Sequence, residues 1–156
     1  MKRTCILAVL GSTALFSLLG CGTPARGNLQ TVGITSSSSK LAGEGGTLQL
    51  VVMANFGKES DNVTNQVTYA VTPTGFSLDG QNLPNPPQTI TISSTGMLTA
   101  VPPFVCTFHN VGTATAASYV LTGSYQIVAT FRGVTSQPFF VGVASAAGDG
   151  PSSACG

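Results

Sequence analysis

The 156-residue chain has no tryptophan, one histidine, and few charges: six Lys or Arg against five Asp or Glu, 7% of all residues. Each scarcity excludes a class of chemistry. A Ser–His–Asp site would rest on His109 alone, and no G-x-S-x-G elbow surrounds any serine. Zinc takes several His or Cys ligands, and only Cys106 lies near His109, so His109 reads as a polar loop residue. Glu59 and Asp61 share one turn, but a calcium site gathers more oxygens than two carboxylates supply; the pair reads as a solvated turn. Glu44 and Asp79 also fall in connections and Asp149 in a tail, so no rigid element pairs carboxylates for glycoside hydrolysis. No helical apolar period survives beyond the first twenty residues, and hence no glycine loop opens a helix to cradle phosphate. No basic stripe exists to neutralise a nucleic-acid backbone. No enzyme activity, cofactor or metal is expected.

What is present begins at the N-terminus. Met1-Lys2-Arg3 is basic, Ile6 to Leu19 is almost purely apolar, and small residues follow. The run is too short to span a bilayer and reads as a secretory signal. Its last four residues, Leu18-Leu19-Gly20-Cys21, resemble the lipobox of bacterial lipoproteins. The resemblance implies cleavage before Cys21, a lipid on that cysteine, and a membrane partner held through the lipid. Each acyl CH₂ in the bilayer contributes roughly 0.8 kcal/mol, so two or three chains make a stable anchor. An Asp after the cysteine would resemble an inner-membrane retention signal. Gly22 stands there instead, which implies the outer membrane of the cell envelope, on either its periplasmic or its surface face. The alternative is an ordinary signal peptide with a coincidental cysteine.

Without residues 1–20, a one-domain length of 136 residues remains. Arg26, Lys40, Lys58 and Arg132 then oppose five acidic residues, a formal balance of −1, with no polybasic patch for anionic lipid. Cys5 falls in the signal and Cys21 at the lipid site. Cys106 and Cys155 remain, an even pair in an oxidising compartment. A bridge between them would close 49 residues and stabilise by roughly 4 kcal/mol through chain entropy; the alternative is two free thiols.

Thr, Ser, Gly, Val and Ala dominate, with Gly and Pro as punctuation, which predicts an all-β chain. Residues 21–30 read as a tether, 31–143 as the folded domain and 144–156 as a flexible tail. Strands are expected at 31–35, 47–56, 63–71, 89–92, 97–100, 124–131 and 137–143. Leu48, Leu50, Val52 and Ala54 share one face of the second; Tyr125, Ile127, Ala129 and Phe131 share one face of the sixth. Seven strands without a helix predict a β-sandwich.

Four blocks carry a resemblance: Gly46–Leu50, Asp61–Tyr69, Ile92–Ala100 and Tyr125–Thr130. Their succession resembles the bacterial immunoglobulin-like domain of group 2, which implies an Ig-like sandwich used for binding or adhesion. That family usually has Trp where Tyr69 stands, so the Tyr69 hydroxyl needs a partner or the rim. Two connections, 73–87 and 101–123, are longer than the resemblance implies, and in an alternating sandwich both emerge at one pole. Phe104, Phe108 and Tyr119 of the second are expected as a ligand platform pinned through Cys106; the alternative packs them back on the sandwich or in an extra hairpin. Expected partners are an envelope or extracellular protein or a glycan, with no nucleic acid. A spacer or subunit of an envelope complex, or a carbohydrate-binding module, are the alternative functions.

Overall fold

A computed structural model describes residues 27–155, apart from 44, 76, 79–80, 114, 117 and 147–152. The expected leader, Cys21, and residues 22–26 of the tether lie outside the described residues, as do Glu44, Asp79 and Asp149.

Fourteen strands are described: β1 (Thr31–Ser36), β2 (Lys40–Ala42), β3 (Thr47–Asn55), β4 (Ser60–Asn62), β5 (Thr68–Gly75), β6 (Ser77–Leu78), β7 (Gln81–Asn82), β8 (Ile90–Ile92), β9 (Met97–Ala100), β10 (Phe108–Asn110), β11 (Tyr119–Leu121), β12 (Gly123–Phe131), β13 (Val134–Thr135) and β14 (Phe139–Ala144). One sheet runs β1-β3-β9-β8, with β4 also on β3. In the other, β12 pairs with β5 along its length, and β14 and β13 share its opposite edge. Strands β1, β3, β5, β8, β9, β12 and β14 are the seven expected from periodicity. Taken as A to G, they lie A-B-E-D and C-F-G, the arrangement of an immunoglobulin-type sandwich. The fold is an all-β, Ig-like sandwich.

Alternation decides which faces meet. Leu50, Val52 and Ala54 of β3 and Tyr125, Ile127 and Ala129 of β12 have no exposed surface. They divide between two apolar clusters. Leu48, Leu50, Leu98, Tyr125, Ile127 and Val141 belong to the first; Val32, Val52, Phe56, Val63 and Phe131 belong to the second, joined by Leu29. Each large side chain so buried contributes roughly 1.5–3 kcal/mol. Tyr69 lies at the boundary and packs on both clusters. Its hydroxyl donates to the Thr64 carbonyl at 2.9 Å, the partner that a tyrosine in a core needs. Burial raises its pKa above the usual 10.0 by desolvating the phenolate. Gly96, at φ +77°, turns β8 into β9; a Cβ there would stand 2.8 Å from the Tyr69 hydroxyl.

Several elements differ from the periodicity reading. The turn expected at Glu59 and Asp61 includes β4, whose Asp61 lies opposite Ala54 of β3. Residues 36–46, between the first two expected strands, include β2, whose Leu41 is fully buried. This strand crosses to the second sheet and pairs in parallel with β14. Three residues are too few to display a period, so one apolar residue among turn formers carried no signal. The third expected strand is displaced: 63–67 form a turn and β5 continues past Pro73 to Gly75. A proline survives there because β5 is an edge strand, paired only with β12 among the described strands.

The connections sort into two poles. Gly27–Gln30, the β3–β5 connection and the β12–β14 connection gather at the N-terminal pole around the second cluster. The β5–β8 and β9–β12 connections and the end of β14 gather at the opposite, insertion pole, beside the first.

Candidate functional site

The two long connections meet. Leu83–Pro87 face Val105, Cys106, Thr107 and Thr122 across a crevice of about 240 Å³. The approach is close: a Cβ on Gly123 would lie 3.0 Å from the Pro86 ring. Beneath it the fully buried Tyr125 donates to the Pro87 carbonyl at 2.7 Å, so its oxygen accepts from Thr89 Oγ1 at the same distance. A core residue of β12 thereby fixes the wall of the crevice.

The 101–123 stretch, read as irregular, carries an antiparallel hairpin, β10 and β11, with Phe108 opposite Leu121 and Asn110 opposite Tyr119. Two three-residue strands around a Gly-, Thr- and Ala-rich turn are below what alternation resolves. The hairpin is continuous with the second sheet through Thr107. Its amide donates to the Val143 carbonyl, and its hydroxyl accepts from the Val143 amide, each at 2.8 Å. Leu121 leans over Gly142, where a Cβ would come within 2.8 Å of Leu121 Cδ2. Glycine at this position lets the hairpin lie on the outer face of β14.

Cys106 and Cys155 form a disulfide. Of residues 144–156, read as a tail, Ala144 ends β14 and the segment 153–155 is tied down. The Cys155 amide donates to the Phe108 carbonyl at 2.9 Å, and its carbonyl accepts from the Asn110 amide at 3.0 Å. Cys155 thus forms a single parallel β-bridge with His109 of β10. Ser145 holds the same segment, its amide and its hydroxyl each 2.8 Å from the Ser153 carbonyl.

The three expected platform residues divide. Phe108 is buried, with Lys40 Nζ 4.5 Å from its ring centre and the Tyr119 ring stacked at 5.8 Å. Tyr119 and Phe104 are open to solvent at 37% and 36% exposure. Phe104 packs instead against Gly43, where a Cβ would sit 3.2 Å from its ring. Sequence reasoning passed over three further exposed apolar side chains, Val111, Leu121 and Phe140. Phe140 stands two residues before Gly142, on the same outer face of β14. The unequal neighbours Phe139 and Phe140 were the available signal, since only one of two adjacent strand residues can face the core.

His109 is structural in its contacts: Nε2–H donates to the Cys106 carbonyl at 3.0 Å. Among the described residues, no group of three or more His, Cys, Asp or Glu is placed to hold a metal ion. Ser124, on the outer face of β12, is buried, and its hydroxyl is without a hydrogen-bond partner. A second hollow, about 490 Å³, is lined by Gln49, Asn62, Thr64, Asn65 and Thr95, where β9 and β4 diverge along the edge of β3. Much of its polar lining is already engaged. Gln49 Nε2 donates to the Thr95 carbonyl at 2.9 Å, and Thr64 Oγ1 accepts from the Val52 amide at 2.9 Å. These bonds close a gap in the sheet rather than await a ligand. The insertion pole, with its crevice and exposed rings, is the stronger candidate. Against known proteins, no family model matches the chain and no curated protein matches it.

Proposed function

We propose that the protein is a non-enzymatic, lipid-anchored Ig-like module of the bacterial envelope that binds a partner through its insertion pole. The observation that carries this reading is the meeting of two long connections at one end of a sandwich that does not need them for its core. A disulfide and a β-bridge between Cys155 and His109 fix that end, which is the usual requirement for a rigid binding surface carried on loops. Exposed Phe104 and Tyr119 beside the crevice supply the aromatic anchors common in protein interfaces. The lipid anchor is supported by Leu18-Leu19-Gly20-Cys21 behind its basic and apolar leader.

Photo-crosslinking in intact envelopes tests the proposal. A crosslinker at Tyr119 should capture one discrete partner that the same group at Thr35, on β1, does not. The double variant Phe104→Ala, Tyr119→Ala should lose that adduct while its melting temperature stays within a few degrees of the parent. Equal capture from both positions would sink the reading. One observation favours a second role, as a subunit of an envelope complex: edge strand β5 is eight residues long and bears no charge. Complex formation abolished by Thr72→Lys, with Tyr119→Ala silent, would identify that role.

A further inference from the structure

The two poles differ in how far they can stand from Cys21, and this follows from the contacts of residues 27–30 with the sandwich. Gly27 is packed so closely that a Cβ would collide with the Phe56 carbonyl. Leu29 packs on the cluster containing Phe56 and Phe131, and the Gln30 amide donates to the Asn55 carbonyl at 2.8 Å. Of the tether expected over 21–30, residues 27–30 therefore belong to the domain. Only Gly22 to Arg26 lie between Cys21 and Gly27. Six Cα–Cα steps reach at most about 22 Å when fully extended.

The insertion pole is farther away than that. Strand β12 runs from Phe131, in the N-terminal cluster, to Gly123, against Pro86 of the crevice wall. Its eight steps cover about 27 Å, and the hairpin turn extends beyond. A domain inverted onto the bilayer would overstretch the tether. Charge supplies no pull to lay the domain flat either. At the N-terminal pole Lys58 and Arg132 are offset by Glu59 and Asp61, and the mature chain's formal balance is −1.

We infer that the short tether stands the domain upright, with its N-terminal pole against the lipid surface and its disulfide-tied insertion pole turned to the aqueous side. The inference rests on the proposed lipid anchor at Cys21 and specifies the side from which a partner reaches the crevice: from water, not from the bilayer.

The test uses the full-length gene product, processed in cells, extracted from membranes and reconstituted in vesicles containing quencher-labelled headgroups. A fluorescent amino acid replaces Lys58, exposed at the N-terminal pole, or Val111, 59% exposed on the hairpin. Intact mass of each sample reports acylation and the intact disulfide. Acylated protein quenched severalfold more at position 58 than at 111 supports the upright arrangement. A long Gly-Ser insertion after Gly22 should then erase most of that difference. Acylated protein with equal quenching, or stronger quenching at 111, overturns the orientation while leaving the anchor in place. An unacylated mass overturns both, and the mass alone tells the two failures apart.

Discussion

Tyr125 shows how one hydroxyl links core to surface. Its ring has no exposed area, yet its oxygen bonds both the Pro87 carbonyl and the Thr89 hydroxyl. Tyr125→Phe keeps the packing but strands a buried Thr89, so it should cost about 1–3 kcal/mol. Urea unfolding should show a lower midpoint at unchanged slope; an unchanged midpoint would mean that water satisfies Thr89 as well. Tyr69 makes a prediction about pH. Its folded pKa is raised by desolvation. The folded state therefore holds the phenolic proton more tightly than the unfolded state, and the associated stability is fully present below pH 10. It is lost as pH rises through the folded value. Thermal melts between pH 9 and 11 should fall less steeply in Tyr69→Phe than in the parent, a comparison that leaves other alkaline titrations in common. The need for a partner at Tyr69 was legible in the sequence, but that the partner is Thr64 was not. The bond depends on a turn five residues earlier folding back beneath the ring.

At the scale of elements, long alternating strands were legible, as were short β8 and β9 around their turn, whereas the other short strands were not. Nine-residue β3 and β12 carry four or more core positions each, so their period outweighs local exceptions such as Val51 and Met53. Strands β2, β10 and β11 have three residues each, and neighbours decide them. Leu41 is a strand residue because β14 runs beside it, and Phe108 because Val143 holds Thr107 in line. The insertion depends most on covalent closure. Cys155→Ser should release the segment bridged to β10 and raise amide exchange across 106–122, with β3 and β12 nearly as protected as before. Loss of the full loop-closure entropy on global unfolding, roughly 4 kcal/mol for a loop of this length, would instead lower β12 protection about a thousandfold. Exchange rising equally in β12 would show that the bridge secures the whole sandwich instead.

For the whole molecule, the long connections leave a seven-strand sandwich intact and enlarge one of its ends. The composite pole arises because strands alternate in direction, which brings the third-to-fourth and fifth-to-sixth connections to the same side. Under the proposed anchor, Cys21→Ser should move the protein from the membrane to the soluble fraction without changing its melting temperature. Retention of the variant at the membrane would point to a different attachment. In that event the exposed Leu121 and Phe140 become the first side chains to substitute.

The amino-acid sequence determined the all-β class, the seven principal strands and their buried faces. Those are local properties, written in period-two alternation and in Gly and Pro punctuation. It also determined that two connections are long and that two cysteines remain for a bridge. Only the tertiary structure decided that Phe108 is buried while Phe104 and Tyr119 are not, that Cys155 bridges to His109 of β10, and that Gly27 lies against Phe56. Each depends on which distant residue happens to lie opposite: Lys40 over Phe108, Gly43 against Phe104, Phe56 against Gly27. Spacing along one strand carries no record of such neighbours.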